Sequence, residues 1–417
     1  MALVMKESTF AYIVLCILAL SGIFSLSDPQ KESTSKCDDA IPFWSRGFAR
    51  SCCDTFPTSF GKHSGGFFEA GVASDSTYFF NKKLKSGDVV YVIISDFPKF
   101  LEVFNTLDST ARITLVTGSE DIGAPWEIFH PDRDNFFDYK MTSLWPKGQL
   151  MTMRQFLGDS RLMRWYAQNY DLVGSNCFTT SDVDAINDSA LIAKVFPIPI
   201  GLDLHSLAEK DRHVSPAAVA DKICDQRNDL ASIVTKALPF LDRKMSVYAR
   251  FDCAFPALKS RHMRKITRGE LCRLLALNSK TVGGSSNGHI IYSTEGKHGK
   301  SKHFSQRGDK LQFWDQVAEV QFALAPPGFG MDTHRAWEIL NLHSVPIIMS
   351  SPLDRLYSQF PVIIVKNWTD VFEDGSMLRF QSQIVQKFGS NPFNDKILHM
   401  LKASHWIDMI RNGTKTR

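Results

Sequence analysis

The feature that most constrains this chain is a run within residues 321–370, QFALAPPGFGMDTHRAWEILNLHSVPIIMSSPLDRLYSQFPVIIVKNWTD. The apolar segment 322–325 is too short for a helix and is closed by Pro326 and Pro327, so it reads as a buried strand that stops abruptly. Gly328 and Gly330 permit backbone conformations closed to other residues and leave room for a ligand near the main chain. Asp332 or Thr333 then caps a helix that ends near His343. The apolar runs 345–349 and 361–365 are further strands. Strand, glycine turn, helix and strand make one βαβ unit. Such sheets take ligands beyond the carboxyl ends of their strands, near a helix amino terminus that favours phosphate.

In that helix Ala336, Trp337, Ile339 and Leu340 form the apolar side, while Arg335 and Glu338 lie three apart on one face beside His334. An arginine in the first turn opposes the helix dipole unless an anion sits in front of it. The plainer account is a surface ion pair between Arg335 and Glu338.

The strings FALAPPGFGMDTHRAWEIL and PIIMSSPLDRLYSQFPVIIV resemble the carboxyl-terminal, donor-binding half of exostosin-like glycosyltransferases, including the ribitol xylosyltransferase type. WYAQNYDL and VFPIPIGLDLH are similar more faintly. The resemblance implies an α/β fold of GT-B type, two Rossmann-like domains facing a cleft, with a nucleotide-sugar donor held mainly by the second. Donor binding would then rest on Gly328, Gly330, Asp332, Thr333, His334, Arg335 and Glu338. Arg335 would neutralise phosphate, and Glu338 would accept from ribose or sugar hydroxyls. No cofactor and no metal are expected, because GT-B enzymes generally stabilise the leaving diphosphate with cationic side chains and a helix terminus.

The chain has 417 residues, 44% of them hydrophobic, ample for two cores. Its net charge of +4 gives no reason to expect nucleic acid as a partner. Residues 10–26 form the one strongly apolar segment, preceded by Lys6. It reads as a signal anchor or a signal peptide. Taken as an anchor, it leaves 1–9 as a cytoplasmic tail and 27–60 as an irregular stem. The protein would then be a single-pass type II protein of the Golgi or endoplasmic reticulum membrane, with secretion as the alternative. In that compartment the seven cysteines other than Cys16 read as disulfides plus one leftover thiol. Asn187, Asn367 and Asn412 head glycosylation sequons, Asn367 the least favoured because it follows a core strand.

Residues 61–205 read as an amino-terminal, acceptor-side Rossmann-like domain, with strands at 89–94 and 113–117 around a helix at 100–107. After the second strand come Glu120 and Asp121, acids on the usual ligand side of such a sheet. An inverting transferase needs a base for the acceptor hydroxyl, and Asp121, then Glu120, are the candidates. Taken singly, either acid is better explained as capping a loop. Residues 159–169 read as helical, 172–173 at most as a short strand, and 195–200 as an extended run that brings Asp203 and His205 to the domain boundary. Residues 206–243 form the linker, 244–375 the donor domain, and 376–417 a helical tail. Arg250, at the end of the strand 245–249, suits a diphosphate; the stripe Arg261, Arg264, Lys265 and Arg268 is more simply solvated. The function expected is transfer of a sugar from a nucleotide sugar to a glycan or glycoprotein hydroxyl, with inversion. The alternative is a catalytically silent relative that binds a sugar nucleotide or glycan, or scaffolds a partner enzyme.

Overall fold

The computed structural model describes residues 43, 45–55, 83–129, 151–172, 189–204, 216–251, 253, 268–279, 290–292, 307–328 and 330–415. In the first domain, strands β1 (Val89–Ile93), β2 (Ile113–Gly118), β3 (Leu162–Ala167) and β4 (Val195–Pro197) lie side by side in that order, every pairing parallel. The first two strands are buried along their whole length, as expected where both faces of a parallel sheet are covered. The helix Phe97–Thr106 turns Phe97, Phe100, Leu101 and Phe104 inward. Phe97 stacks on Trp165 of β3 at 5.4 Å between centroids, and Phe156 meets the same indole edge-on at 5.5 Å. Such aromatic pairs add about 0.5–1.5 kcal/mol each beyond area burial.

β3 corrects one expectation. Residues 159–169 are not helical: the helix is Met153–Gly158, entered through a Thr152–Gln155 capping box, and the chain becomes a strand at Leu162. Gly158 and Asp159 end the helix, and Trp165 and Tyr166 favour a pleated, buried surface over a helix. Leu172 likewise lies in no strand.

The second domain has strand order β6-β5-β7-β8-β9, again all parallel, with β5 (Lys244–Ala249), β6 (Ile290–Tyr292), β7 (Val320–Leu324), β8 (Val345–Met349) and β9 (Ile363–Val365). The architecture is therefore α/β with two Rossmann-like sheets. Loops after β7 reach loops after β3 and β4, so the carboxyl edges of the sheets face each other in the GT-B manner. The chain switches sides between β5 and β7, which makes their carboxyl ends a topological switch point. The helices Ser376–Phe388, Asp395–Met400 and Ala403–Lys415 carry the chain back to the first domain. There Arg411 pairs with Asp54 at 2.7 Å, and Gly413 packs so closely on Arg164 that a Cβ would lie 2.6 Å from its guanidinium.

Among the described residues no helix is long and apolar enough to cross a membrane; segment 10–26 lies outside them. Cys253 and Cys272 form a disulfide, and Cys224 is also disulfide-bonded. Cys52 and Cys53 are both free and buried, so more than one thiol is left over. Asn367 and Asn412 are exposed, and Asn187 lies outside the described residues.

Candidate functional site

The site begins at the switch point. After β7 come Ala325, Pro326, Pro327 and Gly328, and Arg268, the first residue of the helix Arg268–Ser279, donates from Nε to the Pro327 carbonyl at 2.8 Å. Arg250 follows β5 directly. The helix His334–Asn341 starts from Thr333, which holds the N-cap position without a side-chain cap bond. Asp332 is not the cap either. It is 1% exposed, and its carboxylate accepts from Ile200 N at 2.7 Å, from Trp337 Nε1 at 2.8 Å and from the Tyr357 hydroxyl. It joins the two domains and turns no oxygen toward a ligand space.

Gly330 is explained by protein, not ligand, whereas a Cβ on Gly328 would meet nothing nearer than 3.6 Å. Neither Gly328 nor Gly330 has a positive φ. A Cβ on Gly330 would lie 2.7 Å from Asn169 Oδ1, so the side chain of Asn169 occupies the place a larger residue would need. Asn169 in turn accepts from Asp332 N at 2.8 Å and donates to the Glu120 carbonyl at 3.1 Å. One amide thus registers the glycine loop against the acid-bearing turn of the first domain.

Arg335 and Glu338 do not form the surface pair considered above. Glu338 is 4% exposed and its Oε1 meets Lys310 Nζ at 3.2 Å, both groups inside the protein. Arg335 lays its guanidinium over the Phe313 ring at 4.8 Å, and its Nη1 is buried with no hydrogen-bond partner among the described residues. Burial lowers the pKa of Arg335; Glu338 and the Tyr248 hydroxyl favour its charge, and Arg250 opposes it. Two cations that repel each other, one with an unmet donor, make a place prepared for an anion. Beside it, at the carboxyl ends of β7 and β8, Pro327, Met331, Thr333, Ile348, Met349 and Ser351 line a shallow pocket.

The opposite lip is the turn after β2. Ser119 takes a positive φ of 69°, held by Gln168 Oε1 accepting its N–H at 3.0 Å. Glu120 is half-buried. Asp121 is exposed to solvent but set among protein that raises its pKa, while His334 opposes that rise. His334 contacts the same edge, its Nδ1 meeting the Gly201 carbonyl at 2.7 Å. Asp121, Glu120, Arg250, Gly328, Gly330, Asp332, Thr333, His334, Arg335 and Glu338 therefore gather along one seam, where the carboxyl ends of both sheets meet. Asp203 offers its carbonyl to Lys310, and His205 lies outside the described residues. Of the basic stripe, only Arg268 is described. Asn169 and Tyr357 went unmarked in the sequence, where no periodicity or motif distinguishes them; Lys310, which reads in the sequence as part of a solvated basic loop over 297–310, is instead buried in the helix Arg307–Ala318.

Among the described residues no group of three or more His, Cys, Asp or Glu side chains could hold a metal ion. The chain carries two Asp-x-Asp sequences, Asp132 with Asp134 and Asp182 with Asp184, both outside the described residues.

No family model matches the chain, and no curated protein matches its sequence. Solved structures do resemble it. OtsA in its apo form aligns over 82% of this chain and 76% of its own at 11% identity and a TM-score of 0.36. The α,α-trehalose-phosphate synthase (UDP-forming) of Burkholderia xenovorans, in complex with glucose-6-phosphate, covers 82% and 76% at 12% identity and a TM-score of 0.35. That of Burkholderia vietnamiensis covers 82% and 74% at 13% identity and a TM-score of 0.36. Likeness this weak says nothing of this chain's chemistry.

Proposed function

We propose that the chain is a glycosyltransferase of exostosin-like type, which moves a sugar with inversion from a nucleotide donor to a glycan or glycoprotein hydroxyl. It would act in the lumen of the Golgi or endoplasmic reticulum, held by residues 10–26. The observation that carries the reading is Arg335 at the switch point, half-buried and repelled by Arg250, with a buried Nη1 that has no hydrogen-bond partner among the described residues. A diphosphate supplies both the charge and the acceptor oxygens such a group lacks. Arg335, with Arg250 and Arg268, holds that diphosphate; the pocket beside Met331 and Met349 takes the nucleoside. Glu338, held by Lys310, acts as the fixed countercharge behind Arg335 and does not reach the ribose.

Thermal unfolding against a panel of nucleoside diphosphates and nucleotide sugars tests this, since a ligand that binds only the native state raises the melting temperature. One nucleotide family should stabilise the protein, and Arg335→Ala should lose both that stabilisation and sugar transfer. Because one guanidinium nitrogen of Arg335 lacks a partner, its removal should cost the ligand-free protein little stability. Stabilisation unchanged in Arg335→Ala would sink the assignment. Stabilisation without turnover by any nucleotide sugar would favour the silent relative.

A further inference from the structure

Lys310 stands where three parts of the chain meet. It lies in the helix Arg307–Ala318 of the second domain and is 3% exposed. Its ammonium group brings three hydrogens to three oxygen acceptors: Glu338 Oε1 at 3.2 Å, Gln226 Oε1 at 3.3 Å and the Asp203 carbonyl. Glu338 belongs to the helix that carries Arg335, Gln226 to the linker helix Pro216–Lys236, and Asp203 to the segment that leaves the first domain after β4. The Trp314 ring centroid lies 5.0 Å from the same nitrogen. Gln226 is itself fixed, donating from Nε2 to the Leu204 carbonyl at 2.9 Å and to that of Lys222 at 3.3 Å.

Glu338 has a second cation close by in sequence. Arg335 precedes it by three residues on the same helix, the spacing at which opposite charges pair. Glu338 turns to Lys310 instead, while Arg335 lies over the Phe313 ring at 4.8 Å with Nη1 unpartnered among the described residues. A buried carboxylate needs a cation at bonding distance. Lys310 supplies it, so the charge of Arg335 is left for an anion from outside the chain. Two of the three acceptors that aim Lys310 come from the linker helix and from the exit segment of the first domain. The setting of the two domains against each other thus fixes which cation Glu338 takes.

We infer that Lys310 is a positioning residue for the donor. By claiming Glu338 it leaves Arg335 available to a diphosphate, and through Asp203 and Gln226 it ties that availability to the arrangement of the domains; this rests on the reading of Arg335 as the diphosphate ligand. Lys310 is buried with all three hydrogens engaged, so it acts only through Glu338.

The test is a titration of the whole folded protein, well below its melting temperature, with whichever of UDP, GDP, CDP and ADP raises that temperature most. Lys310→Met keeps the length of the side chain and removes the charge, so Glu338 is left to pair with Arg335. Kd should rise about tenfold or more, the worth of one hydrogen bond to a charged group. Adding Glu338→Gln to Lys310→Met removes the competing carboxylate and should bring Kd back to within about threefold of the parent. Glu338→Gln alone should also stay within about threefold. A lysine that served the fold alone would lower the melting temperature of Lys310→Met without this loss and recovery of affinity. A Kd in Lys310→Met within about threefold of the parent, or a double variant as weak as the single one, would overturn the inference. Should Lys310→Met not fold, Glu338→Gln and the double variant decide, and a loss of about tenfold in either overturns it. If none of the four nucleotides binds the unmutated protein, the diphosphate reading of Arg335 fails instead, before any variant is compared.

Discussion

Asp332 Oδ2 accepts the backbone N–H of Ile200 at 2.7 Å, across 132 residues of sequence and across the boundary between the domains. The same carboxylate receives Trp337 Nε1 at 2.8 Å and the Tyr357 hydroxyl. Removing it strands three buried donors. Each abandoned donor costs about 1–3 kcal/mol, so Asp332→Ala should lose at least about 3 kcal/mol of stability in urea denaturation. A loss under about 1 kcal/mol would mean that the domains are held together elsewhere.

Glu127 and Asp171 form a buried acidic pair behind the turn that carries Asp121. Glu127 Oε2 accepts Gly123 N at 2.6 Å, and the Asp171 oxygens accept Trp126 N and Glu127 N at 2.8 Å each. Burial, then the neighbouring Asp171, pushes Glu127 up from 4.5 to about 8, and burial lifts Asp171 from 3.8 to about 7. Both folded values lie above the ordinary ones, so the folded state holds protons that the unfolded chain releases. The pair's contribution is full below about pH 4 and is lost as pH rises toward about 8. Glu127→Gln mimics the protonated acid, its carbonyl accepting from Gly123 and its amide facing Asp171. Melting temperatures at about pH 5 and about pH 8 should fall less in this variant than in the parent, which it should exceed at the higher pH. Parallel declines in the two proteins would remove the pair as the cause.

Gly330 and Asn169 make a coupled prediction. Gly330→Ala forces a Cβ to within 2.7 Å of Asn169 Oδ1, displacing the amide that holds Asp332 N and the Glu120 carbonyl. Overpacking of this kind costs about 1–3 kcal/mol. Asn169→Ala loses the same two bonds but frees the space, so the double variant should be less destabilised than the two single changes added together. A double-mutant cycle with no coupling would show that the close approach relaxes without consequence.

The strands of both sheets could be read from the sequence wherever an apolar run is bounded by glycine, proline or a charged turn, as at β1, β2, β7 and β8. β3 could not, because Arg164 interrupts the run of Leu162, Met163 and Trp165 half-buried, and pairing between β2 and β4 decides its state. Arg335 was visible because a cation at a helix start is an anomaly that asks for an anion, and Arg250 because it stands at a strand end, whereas Arg268 reads as solvated. Asp332 looked like a cap, since an acid before a helix usually is one. Its real partner, Ile200, comes from the other domain, and no local pattern encodes that meeting. Asn169 was hidden for the same reason.

Cys253 and Cys272 close a loop of separation 19 that ends beside Arg268, which braces the Pro327 carbonyl at 2.8 Å. In the chain-entropy account a loop of about that size contributes about 3 kcal/mol by restricting the unfolded state. The crosslink also ties the start of the helix Arg268–Ser279 to the end of β5, where Arg250 stands. Replacing both cysteines by serine should lower the melting temperature and also weaken nucleotide stabilisation, because two of the three arginines lose their fixed spacing. If only the melting temperature falls and nucleotide stabilisation is unchanged, the crosslink serves the fold alone and the cluster is positioned by the strand ends.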